Sequence, residues 1–427
     1  MDSVTLFNIL LELKKKKSIC LSLFHVNYNM HSKSDLMHKY CVQLAQDNNI
    51  QIFTRNFNYK LFNNSNIESK ARDYRYNEIK NICLESKIKY CLTAHHQDDQ
   101  IETIYMARKN NSSWVSKIGI RVKKNLFTKD SETVDLLRPM LDISKKKIIN
   151  YTKKNKLQFL DDPTNKDKRF LRNKIRLAIN SRINNIKFRK QYLNIADTNK
   201  LKLIRISKQI NKFYYDFIYL CKNNDLCVLD KIALTNNDYD FIILFLKKIL
   251  REQFNFDKNL SSVYWKNLYD FINGNKLGSC FILDKMFYIS KTKEKLYIYK
   301  KHELLSSNSL ANMGNHFFRL GTISISKTKN FIKFNRSEGI CLPLSIHKKL
   351  KVDYWEHGDK CFTSKKKTFK VSDIFINNKL SFFHKKHYPL VKYLDNIIWI
   401  PTLFSYNISV KEDNVNEYII LKWNLTL

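Results

Sequence analysis

Short apolar runs alternate with stretches of helical apolar spacing along the first hundred residues of the chain. Apolar residues that recur once per helical turn predict amphipathic helices, and compact apolar runs predict buried strands. The predicted helices cover residues 4–13, 35–46, 67–86 and a segment beginning near Gln97, and the predicted strands cover residues 18–26, 50–57 and 88–93. This alternation predicts an α/β fold with a doubly wound parallel sheet. Because such domains begin on a strand and this chain opens on a helix, we expect the first strand to be missing.

Two further helices are predicted after the first hundred residues. A basic helix over residues 144–156, with Ser144 as its N-terminal cap, precedes a turn signal at residues 161–165. The next helix covers residues 169–179. Three arginines spaced for one face of that helix are Arg169, Arg172 and Arg176.

The rest of the chain is less regular. Residues 198–300 combine a helical stretch at 239–251 with hairpin strands near 279–299. Residues 305–330 are polar enough to predict a linker, and residues 331–427 are strand-like, with Gly, Pro and aromatic punctuation. We therefore predict a catalytic domain followed by two smaller mixed α/β domains, with the boundaries 1–190, 198–304 and 331–427.

Charge adds a prediction about partners. The chain of 427 residues has a formal net charge of +37, which favours a polyanionic partner, nucleic acid before an anionic membrane. The composition is also rich in Lys, Asn and Ile with 7 Gly and 5 Pro, so part of the basicity is compatible with compositional drift.

The nine cysteines include no Cys-x-x-Cys pair and are irregularly spaced. Neither a disulfide framework nor a zinc site is indicated. No apolar run approaches the roughly 20 residues that span a bilayer, and no secretory signal is apparent. We therefore expect a cytoplasmic protein without a membrane partner.

The strongest chemical signal is the run Ala-His-His-Gln-Asp-Asp-Gln-Ile-Glu-Thr at residues 94–103. It lies at the exit of a predicted strand and in the first turn of a predicted helix, which is where parallel α/β sheets bind ligands. Asp99 and Glu102 project from one helix face. Because like charges repel, a cationic ligand such as an amine or a metal would offset the cost of this pairing.

Four segments, taken together, resemble one known family. They are His25-Val-Asn-Tyr-Asn, the run Glu68-Ser-Lys-Ala-Arg-Asp-Tyr-Arg-Tyr, the histidine–carboxylate run with Thr93 before it, and the stretch from Asp162-Pro-Thr-Asn to Phe170-Leu-Arg-Asn-Lys-Ile-Arg. Their order and spacing are similar to those of the tRNA(Ile)-lysidine synthases of the PP-loop ATP pyrophosphatase superfamily. A looser match continues through Gly358-Asp-Lys, residues 366–375 and Pro389-Leu.

The resemblance implies a ligase that uses ATP and Mg²⁺. Its substrates would be free L-lysine and an isoleucine tRNA with a CAU anticodon. ATP would adenylate the C2 oxygen of the wobble cytidine and release pyrophosphate. The side-chain amine of lysine would then attack C2 and expel AMP.

The resemblance also implies roles for individual residues. The catalytic residues would be Asp2, Asp99 and Arg172. ATP would be bound by Met1, Asp2, Ser3, His25 and His95, and lysine by Arg75, Asp99 and Glu102. The tRNA would be contacted by Arg169, Arg172 and Arg176. No separate set of metal ligands is predicted.

The chain departs from the family at its phosphate loop. The pattern Ser-Gly-Gly-x-Asp-Ser is present here only as Met1-Asp2-Ser3. We expect that the start was assigned to an internal Met or that the sequence is truncated; a decayed, non-catalytic tRNA-binding protein is the rival hypothesis. Among active relatives, a PP-loop tRNA thiolase is the alternative, although the chain lacks the paired cysteines that sulfur transfer often needs.

Each residue assignment also has a purely structural interpretation. Glu68 and Arg72 are spaced for an ordinary helical ion pair. Asp99 and Glu102 suit the N-terminal turn of a helix, and buried histidines often only hydrogen-bond. The arginine face of residues 169–176 and the lysines at 365–367 are compatible with solvated surfaces.

Overall fold

The structure, a computed structural model, describes residues 1–58, 67–129, 132–167, 171–222, 225–256, 258, 260–301, 308–335, 339–362, 367–406 and 417–426. The chain forms two compact units, Met1–Arg205 and Ile206–Leu427. Among the described residues, no helix is long and apolar enough to cross a membrane.

The N-terminal unit is a mixture of helices and strands. Its helices are α1 (Asp2–Lys16), α2 (Ser34–Asp47), α3 (Ile67–Glu85), α4 (Gln97–Lys109), α5 (Lys145–Lys154), α6 (Leu171–Ile183) and the start of α7 (Ile186–Phe217). Its strands are β1 (Ser22–Asn27), β2 (Gln51–Asn56), β3 (Tyr90–Leu92), β4 (Lys123–Lys129) and β5 (Glu132–Leu137). Every helix and strand predicted in the first hundred residues is confirmed, with ends displaced by a few residues. The helices predicted at 144–156 and 169–179 are also present, as α5 and α6.

The strands of this unit pair in two separate sheets among the described residues. β1 and β2 are parallel, and β3 is parallel to β5, which also pairs antiparallel with β4. The predicted α/β character is confirmed, and the parallel pairing of β1 with β2 agrees with it. A single doubly wound sheet and its missing first strand remain predictions. The sequence did not indicate β4 and β5, because few apolar residues stand out among the polar residues of 123–137.

Apolar packing brings the ends of several helices to one edge of this unit. Leu6 of α1, Met140 before α5 and Ile148 of α5 share a cluster with Leu92, the last residue of β3, and Ala94 after it. A second cluster joins α4, α6 and α7 through Ile101, Ile104, Ile175, Ile179, Tyr192 and Ala196. As a result, the first turns of α1, α4 and α5 and the polar face of α6 lie beside the carboxyl end of β3.

The C-terminal unit is rich in antiparallel strands. Its helices after α7 are α8 (Lys231–Thr235), α9 (Tyr239–Phe254), α10 (Ser262–Asn273), α11 (Val371–Asn377) and α12 (Phe382–His387). Its strands are β6 (Ile218–Lys222), β7 (Leu226–Asp230), β8 (Cys280–Ile282), β9 (Phe287–Lys291), β10 (Lys295–Lys300), β11 (Asn308–Ser309), β12 (Gly314–Phe317), β13 (Gly321–Thr328), β14 (Gly339–Pro343), β15 (Leu350–Tyr354), β16 (Lys360–Phe362), β17 (Thr368–Lys370), β18 (Pro389–Tyr393), β19 (Asn396–Ile400), β20 (Phe404–Ser405) and β21 (Tyr418–Leu425). They form five-, seven- and four-stranded sheets.

The predicted linker at 305–330 is wrong. Its described part contains β11, β12 and β13, and β13 pairs along its whole length with β21. Ile323 and Ile325 are buried while the residues between and beside them are less so, which is the alternation of a half-buried strand. Serines and threonines on the outer face made the segment polar overall and concealed this pattern.

One hydrophobic core runs through most of this unit. It includes Leu226 and Tyr297 from the earlier part and Phe383, Trp399 and Trp423 from the later part. The division of this region into two domains therefore stays a prediction from the sequence.

Candidate functional site

The histidine–carboxylate run forms the N-terminus of α4. His96 is the N-cap, and its Nδ1 accepts a hydrogen bond from the Asp99 backbone N–H at 3.4 Å. Asp99 Oδ2 accepts in return from the His96 backbone N–H at 2.9 Å. This reciprocal capping box explains why the helix begins at Gln97. The structural interpretation of Asp99 as a capping residue is thus correct for one of its two oxygens.

The second oxygen of Asp99 faces two arginines of α6. Asp99 Oδ1 accepts hydrogen bonds from Arg172 at 2.9 Å and from Arg176 at 3.1 Å. Glu102 receives the Nε–H of the same two arginines, at 3.1 Å on Oε2 and 2.8 Å on Oε1. Asp99 and Glu102 are only 6% and 4% exposed. The repulsion between them is therefore offset within the chain, by two guanidinium groups in paired contacts.

His96 connects this network to the first turn of α1. Its Nε2 lies 3.7 Å from Asp2 Oδ2, and its Nδ1 lies 3.5 Å from Asp99 Oδ2. Lys145 Nζ, at the start of α5, contacts both Asp2 oxygens at 2.6 and 2.7 Å. Burial alone would raise the pKa of Asp2, but His96 and Lys145 hold it well below its usual range. Burial also acts against ionisation of Asp99, and the charges of His96 and Arg172 lower its pKa.

The remaining side chains of the α4 first turn anchor the helix. Asp98 Oδ1 accepts from the Lys145 backbone N–H at 3.1 Å and from Arg189 of α7 at 2.7 Å. Gln100 donates to the Ile118 carbonyl at 3.0 Å. Gln100 Oε1 also accepts from the backbone N–H of the residue after Gly119 at 2.5 Å. The start of α4 is therefore held by α5, α7 and the loop before β4.

Gly119 allows this loop to reach Gln100. Its φ is +77°, and a Cβ there would lie 2.5 Å from Gln100 Oε1. Both the backbone conformation and the space available require a residue without a side chain.

His25 and His95 are half-buried and occupy different surroundings. The His95 Nδ1 lies 2.9 Å from the Thr93 hydroxyl, and the ring interacts electrostatically with Asp99. The His25 ring centroid lies 5.5 Å from that of His38, and His25 Nε2 has no hydrogen-bond partner among the described residues. Burial lowers the pKa of each histidine to about 4, so both rings are neutral near pH 7.

Arg75 lies on α3 beside Tyr76. Its guanidinium carbon is 5.4 Å from the centre of the Tyr76 ring, and its buried Nε has no hydrogen-bond partner in the described part of the chain. The Arg75 side chain also interacts with the Tyr28 hydroxyl, so Nε is the part of the guanidinium left without a partner there.

The other predicted residues have less distinctive positions. Met1 caps α1 through its backbone carbonyl, and Ser3 is exposed in the first turn of α1. Arg169 lies outside the described residues, as do Lys365, Lys366 and the side chain of Glu68. The proposed Glu68–Arg72 ion pair is untested for that reason.

Four residues of this site had no role assigned from the sequence, although His96 belongs to the histidine–carboxylate run. His96, Lys145 and Arg189 are within hydrogen-bonding or ion-pair distance of the acids of α1 and α4. Arg138 follows β5 and is 4% exposed. Lys145 carried a usable signal, because it directly follows the predicted cap Ser144. Arg138 and Arg189 carried none, since β5 and the course of α7 were not predicted.

Comparison with known proteins places this geometry in context. Residues 1–183 match the family model of the PP-loop domain. A tRNA(Ile)-lysidine synthase of Buchnera aphidicola subsp. Baizongia pistaciae is 25% identical over 99% of this chain and 93% of its own length. The protein of the same name from Buchnera aphidicola subsp. Acyrthosiphon pisum is 24% identical over 98% and 91%. The one from Blochmanniella pennsylvanica is 33% identical over 39% of this chain and 26% of its own length.

Proposed function

Because the chain belongs to the tRNA(Ile)-lysidine synthase family, we propose that it ligates lysine to C2 of the wobble cytidine of an isoleucine tRNA. ATP would activate the cytidine by adenylation, and pyrophosphate and AMP would leave in turn. The observation that carries this proposal is the chain of contacts from Asp2 through His96 to Asp99. It joins Asp2, which we propose is the family's loop carboxylate, to the histidine–carboxylate run after β3.

Lysine binding is proposed at Asp99, Glu102 and Arg75. The side-chain amine of lysine has a pKa of about 10.4 in water, so it arrives as an ammonium that two carboxylates can orient. Arg172 and Arg176 already neutralise these carboxylates. A lysine ammonium would replace one guanidinium contact, so that the displaced Arg172 becomes free to face the activated cytidine.

ATP binding is proposed at the start of α1, with Met1, Ser3, His25 and His95 around it. Helix N-termini favour phosphate through their free N–H groups and dipole. Lys145, in contact with Asp2, supplies a cation there. Its release from Asp2 would let both groups act on the phosphates.

Magnesium fits this arrangement. No group of three or more potential metal ligands occurs among the described residues. Mg²⁺ commonly binds one or two carboxylates and completes its shell with substrate phosphates and water. Asp2 is the carboxylate we propose for it, and the ion would neutralise charge on the phosphates.

The tRNA is proposed to contact both units. Arg172 and Arg176 on α6, with Arg169 before them, would meet the anticodon region. The regions 198–304 and 331–427, the two smaller domains predicted from the sequence, would bind the rest of the tRNA through shape and phosphate contacts.

A labelled-lysine assay tests the proposed reaction. Purified protein, ATP, Mg²⁺ and radiolabelled lysine are incubated with isoleucine tRNA, with the chain as printed and with a form extended by a strand and Ser-Gly-Gly before Met1. We expect acid-precipitable label on isoleucine tRNA that requires ATP. Equal labelling of a methionine tRNA, or no labelling by either form, would contradict the proposal.

Salt dependence tests the proposed role of the positive charge. The affinity for tRNA should fall steeply between low and physiological salt, by about a thousandfold if six or more phosphates are neutralised. The measurement is a filter-binding series at several salt concentrations. A flat response would mean that the lysine excess is compositional and makes no contact with RNA.

A further inference from the structure

Four cations surround one aromatic ring at the edge of the site. The guanidinium carbon of Arg72 lies 5.2 Å from the centre of the Tyr76 ring, and that of Arg75 lies 5.4 Å away. The ammonium of Lys124, on β4, lies 5.6 Å from the same ring. Arg138 also acts on Tyr76 electrostatically. So dense a cluster of like charges is unfavourable unless an anion is close.

Arg138 is the most deeply buried member of this cluster. It follows directly after β5, whose last carbonyl, on Leu137, accepts from the Thr93 backbone N–H at 3.0 Å. The Arg138 side chain therefore starts at the carboxyl end of the parallel pair β3 and β5, opposite Thr93, which precedes His95 by two residues. One guanidinium N–H donates to the Arg121 carbonyl at 2.6 Å, the side chain also interacts with the Tyr76 hydroxyl, and Nε has no partner among the described residues.

These arginines differ from the others in the site. Arg172, Arg176 and Arg189 each have a carboxylate within 3.1 Å. In the described part of the chain, Arg75 and Arg138 have no carboxylate within ion-pair distance. The acid spaced to pair with Arg72 is Glu68, whose side chain lies outside that part. A charge as buried as Arg138 is costly when unpaired, so an external anion is the expected partner.

The solvent exposure of the four side chains decreases from one end of the cluster to the other. Arg72 and Lys124 are exposed, Arg75 is half-buried and Arg138 is buried. A row of cations that runs inward from solvent suits a ligand with repeated negative charges that enters from outside. A single carboxylate would neutralise only one member.

We propose that Arg72, Arg138 and Lys124 bind backbone phosphates of the RNA next to the nucleotide that reacts. The proposal rests on the proposed function for the identity of the RNA. Arg75, assigned above to the lysine carboxylate, borders the same ring. Lysine and the RNA backbone would thus be held by neighbouring guanidinium groups, which brings the amine close to the base that it attacks.

The electrostatics of Tyr76 agree with this arrangement. Burial acts to raise the pKa of Tyr76, but the charges of Arg72, Arg75 and Arg138 outweigh it and lower the pKa. The lowered pKa of Tyr76 thus indicates a positive electrostatic potential around the ring, and the same potential would attract a phosphate.

Binding of an anticodon stem-loop, without ATP or lysine, tests the proposal. We compare Arg138→Gln and Arg72→Gln with Lys153→Gln, which removes an exposed lysine at the end of α5. Each arginine variant should weaken binding about tenfold and reduce the salt slope by about one. Lys153→Gln should bind like the unaltered protein.

The variants also separate the possible ligands. If Arg138→Gln unfolds at a lower temperature, Arg72→Gln at the exposed rim remains informative. Unchanged RNA affinity in Arg72→Gln would overturn the proposal. The proposal would also be overturned if the variants lost affinity for pyrophosphate alone, or if only their KM for lysine increased. Either result would mean that the cluster binds a ligand other than RNA. Because the assay needs no turnover, it can succeed even if no lysine is incorporated.

Discussion

Buried charges are handled differently in the two units. In the N-terminal unit, Asp99 and Glu102 are neutralised by arginine side chains from another helix. In the C-terminal unit, Lys291 is 1% exposed, and its ammonium donates to the carbonyls of Phe271, Ile272 and Gly274 at the end of α10. The ammonium thus caps carbonyls that have no helical partner.

The two arrangements differ in whether the partner of the buried charge can be replaced by a ligand. The carbonyls at the end of α10 belong to the backbone and cannot leave Lys291 without unwinding the helix. Arg172 and Arg176 are long side chains that a competing cation can displace while both helices stay folded. We infer that the C-terminal arrangement serves stability, whereas the N-terminal one suits ligand exchange.

Asp99→Asn gives the largest effect expected from this comparison. Asparagine keeps an oxygen for the His96 cap but loses the charge that orients an ammonium, so lysine incorporation should fall about a thousandfold. The assay is labelled-lysine transfer, with tRNA binding measured in parallel and expected to stay nearly constant. Asp197→Asn, on the exposed side of α7, is the control. Equal turnover of the Asp99 variant would remove Asp99 from the site.

Lys291→Met tests the stability half of the comparison. The substitution leaves the carbonyls at the end of α10 without a donor and should lower the free energy of unfolding by about 3 kcal/mol. Urea unfolding followed by tryptophan fluorescence measures it, since four tryptophans lie beyond residue 205. Lys293→Met, at an exposed position nearby, should change little. A stable Lys291 variant would mean that the ammonium is dispensable.

A smaller effect, shared by both units, comes from their buried histidines. Burial and the charge of His38 lower the pKa of His25 to about 4, and burial and Lys295 lower that of His384 to about 4. Below pH 6.5 the unfolded chain binds protons that the folded chain does not. Stability should therefore fall as pH drops from 6.5 toward 4, by at most about 2 kcal/mol per histidine between pH 7 and pH 5.

Hydrogen exchange measured at pH 7 and at pH 5 gives the loss of stability of each unit separately. His25→Gln should flatten the pH dependence of the N-terminal unit only, and His384→Gln that of the C-terminal unit only. A variant that leaves the pH dependence of its own unit unchanged would show that the histidine is protonated in the folded protein.

Much of the N-terminal unit was predictable because its signals are local. The positions of α4 and α6 followed from apolar spacing, and the arginine stripe of α6 does meet the acids of α4. The sequence did not predict that these arginines would themselves neutralise Asp99 and Glu102, because this contact depends on how α6 packs on α4. Arg138 was missed since its role depends on the pairing of β5 with β3.

The C-terminal unit was less predictable for a related reason. Its strands pair across long separations, as β13 does with β21, and single-strand patterns do not reveal such partners. The polar outer face of β13 resembled a linker when its partner was unknown.

Gly119 contacts no proposed substrate, but it affects where Asp99 and Glu102 lie. Any residue with a side chain there would push against the amide of Gln100, directly after Asp99 in the same helical turn. Either α4 would have to rotate or the Gln100 amide would have to lose its hydrogen bonds to the loop. Each of these changes would move Asp99 and Glu102 by a fraction of an ångström. Randomising codon 119 and selecting for cell survival should therefore return glycine almost exclusively, if cells depend on this protein.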